Sequence, residues 1–405
     1  MAFSPLPTLG LKPAHTAEAA KHKALAMLNR KPVAAFSSST LDPSGTEQMP
    51  EDFADQMNQQ ERNKYVKGKK LGEGTYAIVY KGHLRENPKE FVAIKKIKVN
   101  ADYKDGLAMD AIREVKCLQE LSHPNIIALK TIYSSKDQNI NIVLEYIALG
   151  DLEMLIKDHS GIIYTQADIK AWMAMIGRAV WFCHENFILH RDIKPNNLLI
   201  AADGNIKLAD FGLARSFAEP GTRMTHNVIT SWYRPPELFF EAKHYSGAVD
   251  VWSIGCVLAE LIMRAPYIHG ETDLACLSAI NNIIGTPTEE NWPGVSTLPR
   301  FVKLSPEIPL FPKSEITRRF PALGSTGVDL LMAMLSLDPR KRPTAKGILE
   351  HNYFKIAPRP TKNEDLPKKG GGEEQMGEDL KRKAGELPTG RGDKVARKID
   401  FGAMK

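Results

Sequence analysis

The sequence predicts an α+β fold in two lobes, a small β-rich one followed by a larger α-helical one, with a cleft between them. Two observations carry this reading. Segments of strand character crowd between Lys69 and Tyr146, and after Asp151 the chain reads as mostly helical. Val249 to Met263 is apolar on almost every side, as in a helix buried within a lobe.

The strands are expected at Lys69–Leu71, at Ile78–Gly82 after a Gly-rich turn, at Phe91–Lys98 with its β-branched residues, and at Ile140–Tyr146. Between the last two, a helix is expected from about Asp105 to Leu121, because Ala108, Ala111, Ile112, Val115 and Leu118 recur at helical spacing. This patterned zone runs from Tyr65 to Phe354, the small lobe covering about 65–147 and the large one about 148–354. Residues 1–60, rich in Ala, Ser, Pro and Thr, show no sustained period and are expected to lack regular structure. Their first forty residues are basic and poor in acid, which also fits a mitochondrial transit peptide. Residues 357–405, with a Gly-Gly-Gly tract and many lysines, read as a disordered basic tail. Lys381-Arg382-Lys383 within it fits either a nuclear import signal or a solvated run.

Composition narrows the function classes. No apolar run approaches the roughly 18 residues that span a bilayer, and no apolar stretch near Met1 suggests a secretory signal. The four cysteines, Cys117, Cys183, Cys256 and Cys276, form no C-x-x-C pair and read as reduced core thiols rather than a metal or redox site. A net charge of +6 is mildly basic and gives no sign of direct nucleic-acid binding.

The chemistry lies in three places. Leu71-Gly72-Glu73-Gly74-Thr75-Tyr76-Ala77-Ile78-Val79 joins two strands through small residues that let backbone N–H groups approach phosphate oxygens. By itself such a loop also fits a purely structural hairpin. A strand follows it, unlike sites where a helix N-terminus holds the phosphate. Next, alternation in Val92-Ala93-Ile94-Lys95 puts Ala93 and Lys95 on one face, taken as the cleft face. Glu114 shares a helix side with Leu107, Ala111 and Leu118, so it points inward and can pair with Lys95. The pair alone fits a surface lysine and glutamate equally well. The third place decides between these readings. Ile188 to Ile200, with His190-Arg191-Asp192, Lys194 and Asn197, is followed by an Asp203-Gly204 turn and by Ile206 to Gly212, with Asp210-Phe211-Gly212. Two short apolar strands flanking an Asp-Gly turn form a hairpin, which brings Asp192, Lys194, Asn197 and Asp210 together. Asn197 and Asp210 supply oxygen ligands suited to Mg²⁺. Asp192 suits taking a proton from a substrate hydroxyl, and Lys194 suits the charge of a transferring phosphoryl group. H-R-D-x-K-x-x-N followed by D-F-G is a highly specific combination.

These residues resemble the eukaryotic protein kinase family, from about Lys69 to Phe354. The resemblance implies ATP with Mg²⁺ in the cleft, bound by Leu71 to Val79, Lys95, Glu145 and Ile147, with catalysis by Asp192, Lys194, Lys95 and Glu114. It also implies a structural pair between Glu237 of Trp232-Tyr233-Arg234-Pro235-Pro236-Glu237 and Arg342. Finer features resemble the cyclin-dependent kinases: Asp105 to Glu114 at the cyclin-contacting helix, Asp210 to Arg215, and Thr225 to Thr230 before Trp232. Within these, Leu118 to Ile126, His190 to Leu199, Ser216-Phe217 and Ala77 are most similar to the branch that activates other cyclin-dependent kinases within general transcription factor IIH.

That branch implies a nuclear Ser/Thr kinase with a cyclin, a RING-containing assembly factor and transcription factor IIH as partners. Its substrates would be Ser-Pro or Thr-Pro sites in the RNA polymerase II tail and in activation loops of other cyclin-dependent kinases. It implies a phosphate on Thr225 gathered by Arg113, Arg191 and Arg215, and a proline pocket shaped by Val228, Ile229 and Arg234. A cell-cycle kinase of another branch and a non-catalytic scaffold are the alternatives. The chain departs from the branch at Glu219, Ser231, Leu144 and Ala148-Leu149-Gly150, none of them in the catalytic set.

Overall fold

The computed structural model describes residues 53–73, 77–98, 109–135, 139–158, 161–216 and 231–368. Strand alternation organises the small lobe. Tyr65–Glu73 (β1), Ala77–Leu84 (β2), Phe91–Ile97 (β3), Leu129–Ser134 (β4) and Ile140–Glu145 (β5) form one antiparallel sheet in the order β1-β2-β3-β5-β4. On one face Val92, Ile94, Val143 and Tyr133 pack as a small core with Tyr65 and Tyr80. The other face sends Ile97, Ile142 and Leu144 into the main core. Lys95 follows the same two-residue period as Ala93 and Ile97, so it shares their face, in register with Val79 and Ile142. A helix, Met109–Glu120 (α2), buries Ala111, Glu114, Cys117 and Leu118 and leaves Ile112 exposed.

The large lobe begins with Leu152–Lys157 (α3) and Gln166–Glu185 (α4). The second starts at a capping box: Thr165 accepts from the Asp168 amide while Asp168 accepts from the Thr165 amide. After Ile188–Leu189 (β6) come the paired strands Leu198–Ile200 (β7) and Ile206–Leu208 (β8), then Arg215–Ser216 (β9) on β6. Pro236–Phe239 (α5) precedes Ala248–Met263 (α6), in which every residue from Val249 to Ile262 is buried. Asp273–Ile283 (α7), Lys313–Arg319 (α8), Gly324–Met334 (α9) and Ala345–Glu350 (α10) complete the lobe. All four cysteines are free and buried.

The expected boundaries move at both ends. The N-terminal stretch read as irregular through residue 60 contains the helix Phe53–Asn63 (α1). Asn58 on α1 accepts from the Ser134 amide at 2.6 Å and donates to its carbonyl at 3.1 Å, completing the open edge of β4. The C-terminal stretch read as a tail from 357 packs on the lobe through residue 368. Thr361 donates to Asp168 at 2.6 Å, Asn363 donates to Asn205 at 2.8 Å, and Leu366 is 4% exposed. Lys170, fully buried, donates to the carbonyls of Ile356 and Pro358. Gly204, at φ +83°, presses against this strap so closely that a Cβ would lie 1.7 Å from the Asn363 oxygen. Both stretches are polar, so no hydrophobic period announces them; their order comes from backbone and side-chain partners distant in sequence. The strand β4 was not expected either, and β1 is longer than its sequence pattern suggested.

The pair expected between α5 and the end of the lobe is present. Arg342 grips Glu237 with two bonds, 2.6 and 2.8 Å, inside the protein, and its guanidinium stacks on the Trp252 ring at 4.8 Å. Removing one partner strands the other charge in a dry site. Glu237→Ala is therefore expected to cost about 3–5 kcal/mol in denaturant unfolding, with part of the loss recovered by adding Arg342→Met. A loss below about 1 kcal/mol would show that the pair does not brace α5.

Candidate active site

A lysine turned into a protein needs a counter-charge. Lys95 is 18% exposed at its side chain, and α2 supplies the partner, Glu114, at 2% exposure. Lys95 Nζ donates to Glu114 at 2.7 and 2.9 Å and to Asp210 Oδ1 at 3.2 Å. Burial works against the ammonium, yet Glu114 and then Asp210 hold its pKa above the ordinary lysine range. Burial likewise opposes the Asp210 charge, and Lys95 overcomes it, holding that carboxyl below the ordinary carboxylate range.

The hairpin of β7 and β8 sets the rest. Asp210 follows β8 in the left-handed region, φ 63°, and keeps its side chain 49% exposed. The turn Phe211–Leu213 packs on α2, tying that helix to the Asp210 corner. Asn197, just before β7, donates its amide to the Asp192 carbonyl at 2.7 Å and to Asp192 Oδ2 at 2.8 Å. Lys194 Nζ lies 2.8 Å from the same Oδ2. Asp192 is only 4% exposed, so its carboxylate is aimed by these two neighbours.

Sequence reasoning missed what shapes this loop. Asp250 on α6 has no exposed surface, and it accepts from the His190 amide at 3.0 Å, the Arg191 amide at 2.8 Å and His184 Nε2 at 2.8 Å. Arg191 thereby holds a left-handed backbone, φ 65°. His190 bonds the Ala209 carbonyl at 3.1 Å and meets the Phe211 ring edge-to-face at 4.7 Å. The signal was available: Asp250 and Glu260 are the two acids of an otherwise largely apolar helix, and a buried acid must have donors around it.

The remaining expected residues fall as follows. Leu71, Gly72 and Glu73 end β1, and Ala77, Ile78 and Val79 begin β2; Gly74, Thr75 and Tyr76 lie outside the described residues. Glu73 is held between Lys70 and Lys98 and pushed down to about 2. Glu145 ends β5, and its carboxylate accepts from the Ala128 amide at 2.7 Å and from Lys207 at 2.9 Å. Its side chain thus braces the crossover between lobes, and its amide donates to the Ala128 carbonyl at 3.0 Å. Ile147 is half-buried just beyond. Arg113 on α2 and Arg215 on β9 are half-buried, and Arg215 pairs with Leu189, two residues from Arg191. Arg191 is 1% exposed and donates to the Leu213 carbonyl and the Tyr245 hydroxyl. Thr225, Val228 and Ile229 lie outside the described residues. Arg234 is 7% exposed, paired with Asp273 at 3.0 Å and set over the Phe239 ring; Ser231 donates to the other Asp273 oxygen. Its charge braces the start of α7.

Among the described residues no cluster of three or more His, Cys, Asp or Glu could hold a metal by itself. Asn197 Oδ1 and the half-exposed Asp210 carboxylate instead fit a hard cation that takes its other oxygens from phosphate and water.

The protein kinase domain family matches residues 65–354. The chain belongs to that family. The kinase is 49% identical over 300 residues to serine/threonine-protein kinase KIN28 of Saccharomyces cerevisiae, covering 73% of this chain and 95% of that protein. It is 45% identical to cyclin-dependent kinase 7 of Xenopus laevis, covering 74% and 83%. A chain in the structure of the CAK complex from Chaetomium thermophilum bound to ATP-γ-S superposes with a TM-score of 0.76 at 63% identity, covering 79% of this chain and 99% of that one. The enzyme is a serine/threonine protein kinase of the cyclin-dependent type.

The lowered Asp210 pKa has a consequence for stability. Its contribution is complete above the unfolded-state value, near 4, and is lost as pH falls through the lower folded value. In urea unfolding, wild type is expected to lose stability relative to Asp210→Asn as pH drops from 6 towards 3. A constant difference between the two proteins across that range would refute the pairing with Lys95.

Proposed function

We propose that this chain is the cyclin-dependent kinase of a nuclear, transcription-linked assembly, transferring the γ-phosphate of MgATP to Ser-Pro and Thr-Pro sites. The carrying observation is a pair of adjoining clusters, Lys95–Glu114–Asp210 and Asp192–Lys194–Asn197, tied where the Ala209 amide beside Asp210 donates to the Asn197 carbonyl at 2.9 Å. Lys95, aimed by Glu114, binds the α- and β-phosphates of ATP under the loop from Leu71 to Val79. Asn197 and Asp210 hold Mg²⁺, which when bound offsets phosphate charge. Asp192 orients the substrate hydroxyl and takes its proton while the hydroxyl oxygen forms a bond to the γ-phosphorus. The bond from that phosphorus to the β–γ bridging oxygen breaks, and its electron pair leaves with ADP. Lys194 stabilises the charge on the moving phosphoryl group.

A cyclin pressing on α2 would favour the seated Glu114, a population shift in one helix. Phosphate on Thr225, gathered by Arg113, Arg191 and Arg215, would order the activation segment, where Val228 and Ile229 contribute to a proline pocket. The resemblance to KIN28 and cyclin-dependent kinase 7 supports the RNA polymerase II tail and other cyclin-dependent kinases as substrates. It also supports a RING assembly factor and transcription factor IIH as partners, over a cell-cycle branch. The retained catalytic set argues against a scaffold.

Two measurements test this. With its cyclin present, Asp192→Asn is expected to lower kcat on a Ser-Pro peptide about 10²–10⁴-fold; equal phosphate transfer by both proteins would sink the assignment. Thr225→Ala is expected to reduce turnover or complex stability, measured by steady-state kinetics and by co-purification with the cyclin. If neither changes, Thr225 is not the switch.

A further inference from the structure

The small lobe carries a cationic hollow that phosphotransfer does not use. Lys96 follows Lys95 on β3, and strand alternation turns it to the face away from the cleft. There it lines a depression of about 620 Å³ together with Arg62 at the end of α1, Lys67 on β1 and Arg85 after β2. None of the described residues lining the depression is acidic. Tyr65 and Tyr133, stacked 6.5 Å apart and 10° from parallel, line it as well.

Nearby, Glu61 pairs with Lys64, and Glu73 with Lys70 and Lys98. Among the described residues, Arg62, Lys67 and Arg85 have no carboxylate partner. Lys67 rests over the Tyr80 ring at 3.4 Å, and Arg85 Nε donates to the Asn63 carbonyl at 2.7 Å, which fixes the plane of its guanidinium. Gathering like charges in one concavity costs energy that a bound anion recovers.

We propose that this hollow binds a phosphoserine or phosphothreonine group on a protein segment. A phosphate monoester brings close to two negative charges and three acceptor oxygens, which match guanidinium forks better than one carboxylate does. The concave shape suits one compact dianion rather than an extended polyanion, and the tyrosine pair offers apolar contact to residues beside it. Such groups are also what a serine/threonine kinase makes. A substrate with several target hydroxyls would be retained by one phosphate while another hydroxyl reaches the cleft.

The test is fluorescence anisotropy on the full-length chain. The probes are a labelled peptide with one phosphothreonine, the same peptide unphosphorylated, and a single-stranded oligonucleotide. Wild type is expected to prefer the phosphopeptide about ten-fold or more, the preference shrinking as salt rises. Arg62→Ala/Lys67→Ala abolishes the preference while kcat on a short single-site peptide stays unchanged, and Arg62→Lys/Lys67→Arg retains it. A preference that survives the double alanine variant puts the phosphate elsewhere, for instance at Arg113, Arg191 and Arg215, and overturns the proposal. So does oligonucleotide binding tighter than phosphopeptide binding and lost in that variant.

Discussion

Asp250 is a carboxylate without access to water, and the loop that carries Asp192 takes the shape that this charge requires. An isolated charge there would be prohibitive, so the surrounding chain must present donors. Two are the amides of His190 and Arg191, and a third is the His184 ring. Meeting that demand puts Arg191 into a left-handed conformation, and the next residue, Asp192, meets Asn197 and Lys194. Helix α6 is apolar enough to be buried throughout, and that burial is what gives its one acid near the N-terminus such leverage.

The same logic of paired burial runs across the cleft. Lys95 sits on a strand, Glu114 on a helix and Asp210 at the end of a hairpin, and no two share an element. Their contacts join α2 to the sheet and to the Phe211 turn at once, so a displacement of α2 would be felt at the lysine and at the candidate metal ligand together. Arg342 and Glu237 repeat the arrangement far from the chemistry, where it serves architecture alone.

Much of this was legible in the chain. Two-residue alternation located β3 and gave the facing of Lys95; helical spacing located α2 and turned Glu114 inward. An Asp-Gly turn between apolar triplets announced the hairpin that gathers Asp192, Asn197 and Asp210. What escaped was held by polar contacts of long sequence separation. Examples are Asn58 on Ser134, Thr361 on Asp168, and the Lys207–Glu145 brace. None of these leaves a period, because a single hydrogen bond asks for one residue at one place rather than for a repeating pattern.

The sequence by itself determined the classes of element, the order of the lobes and the candidate catalytic side chains, since these follow from local periodicity and from short motifs with fixed spacing. Only the tertiary structure decided that Asp250 gathers the His190 and Arg191 amides, that Asn58 and Thr361 anchor segments on either side of the patterned zone, and that Lys96 lines a hollow with Arg62, Lys67 and Arg85. Those outcomes depend on distances between residues up to about two hundred positions apart, and such distances are set by packing.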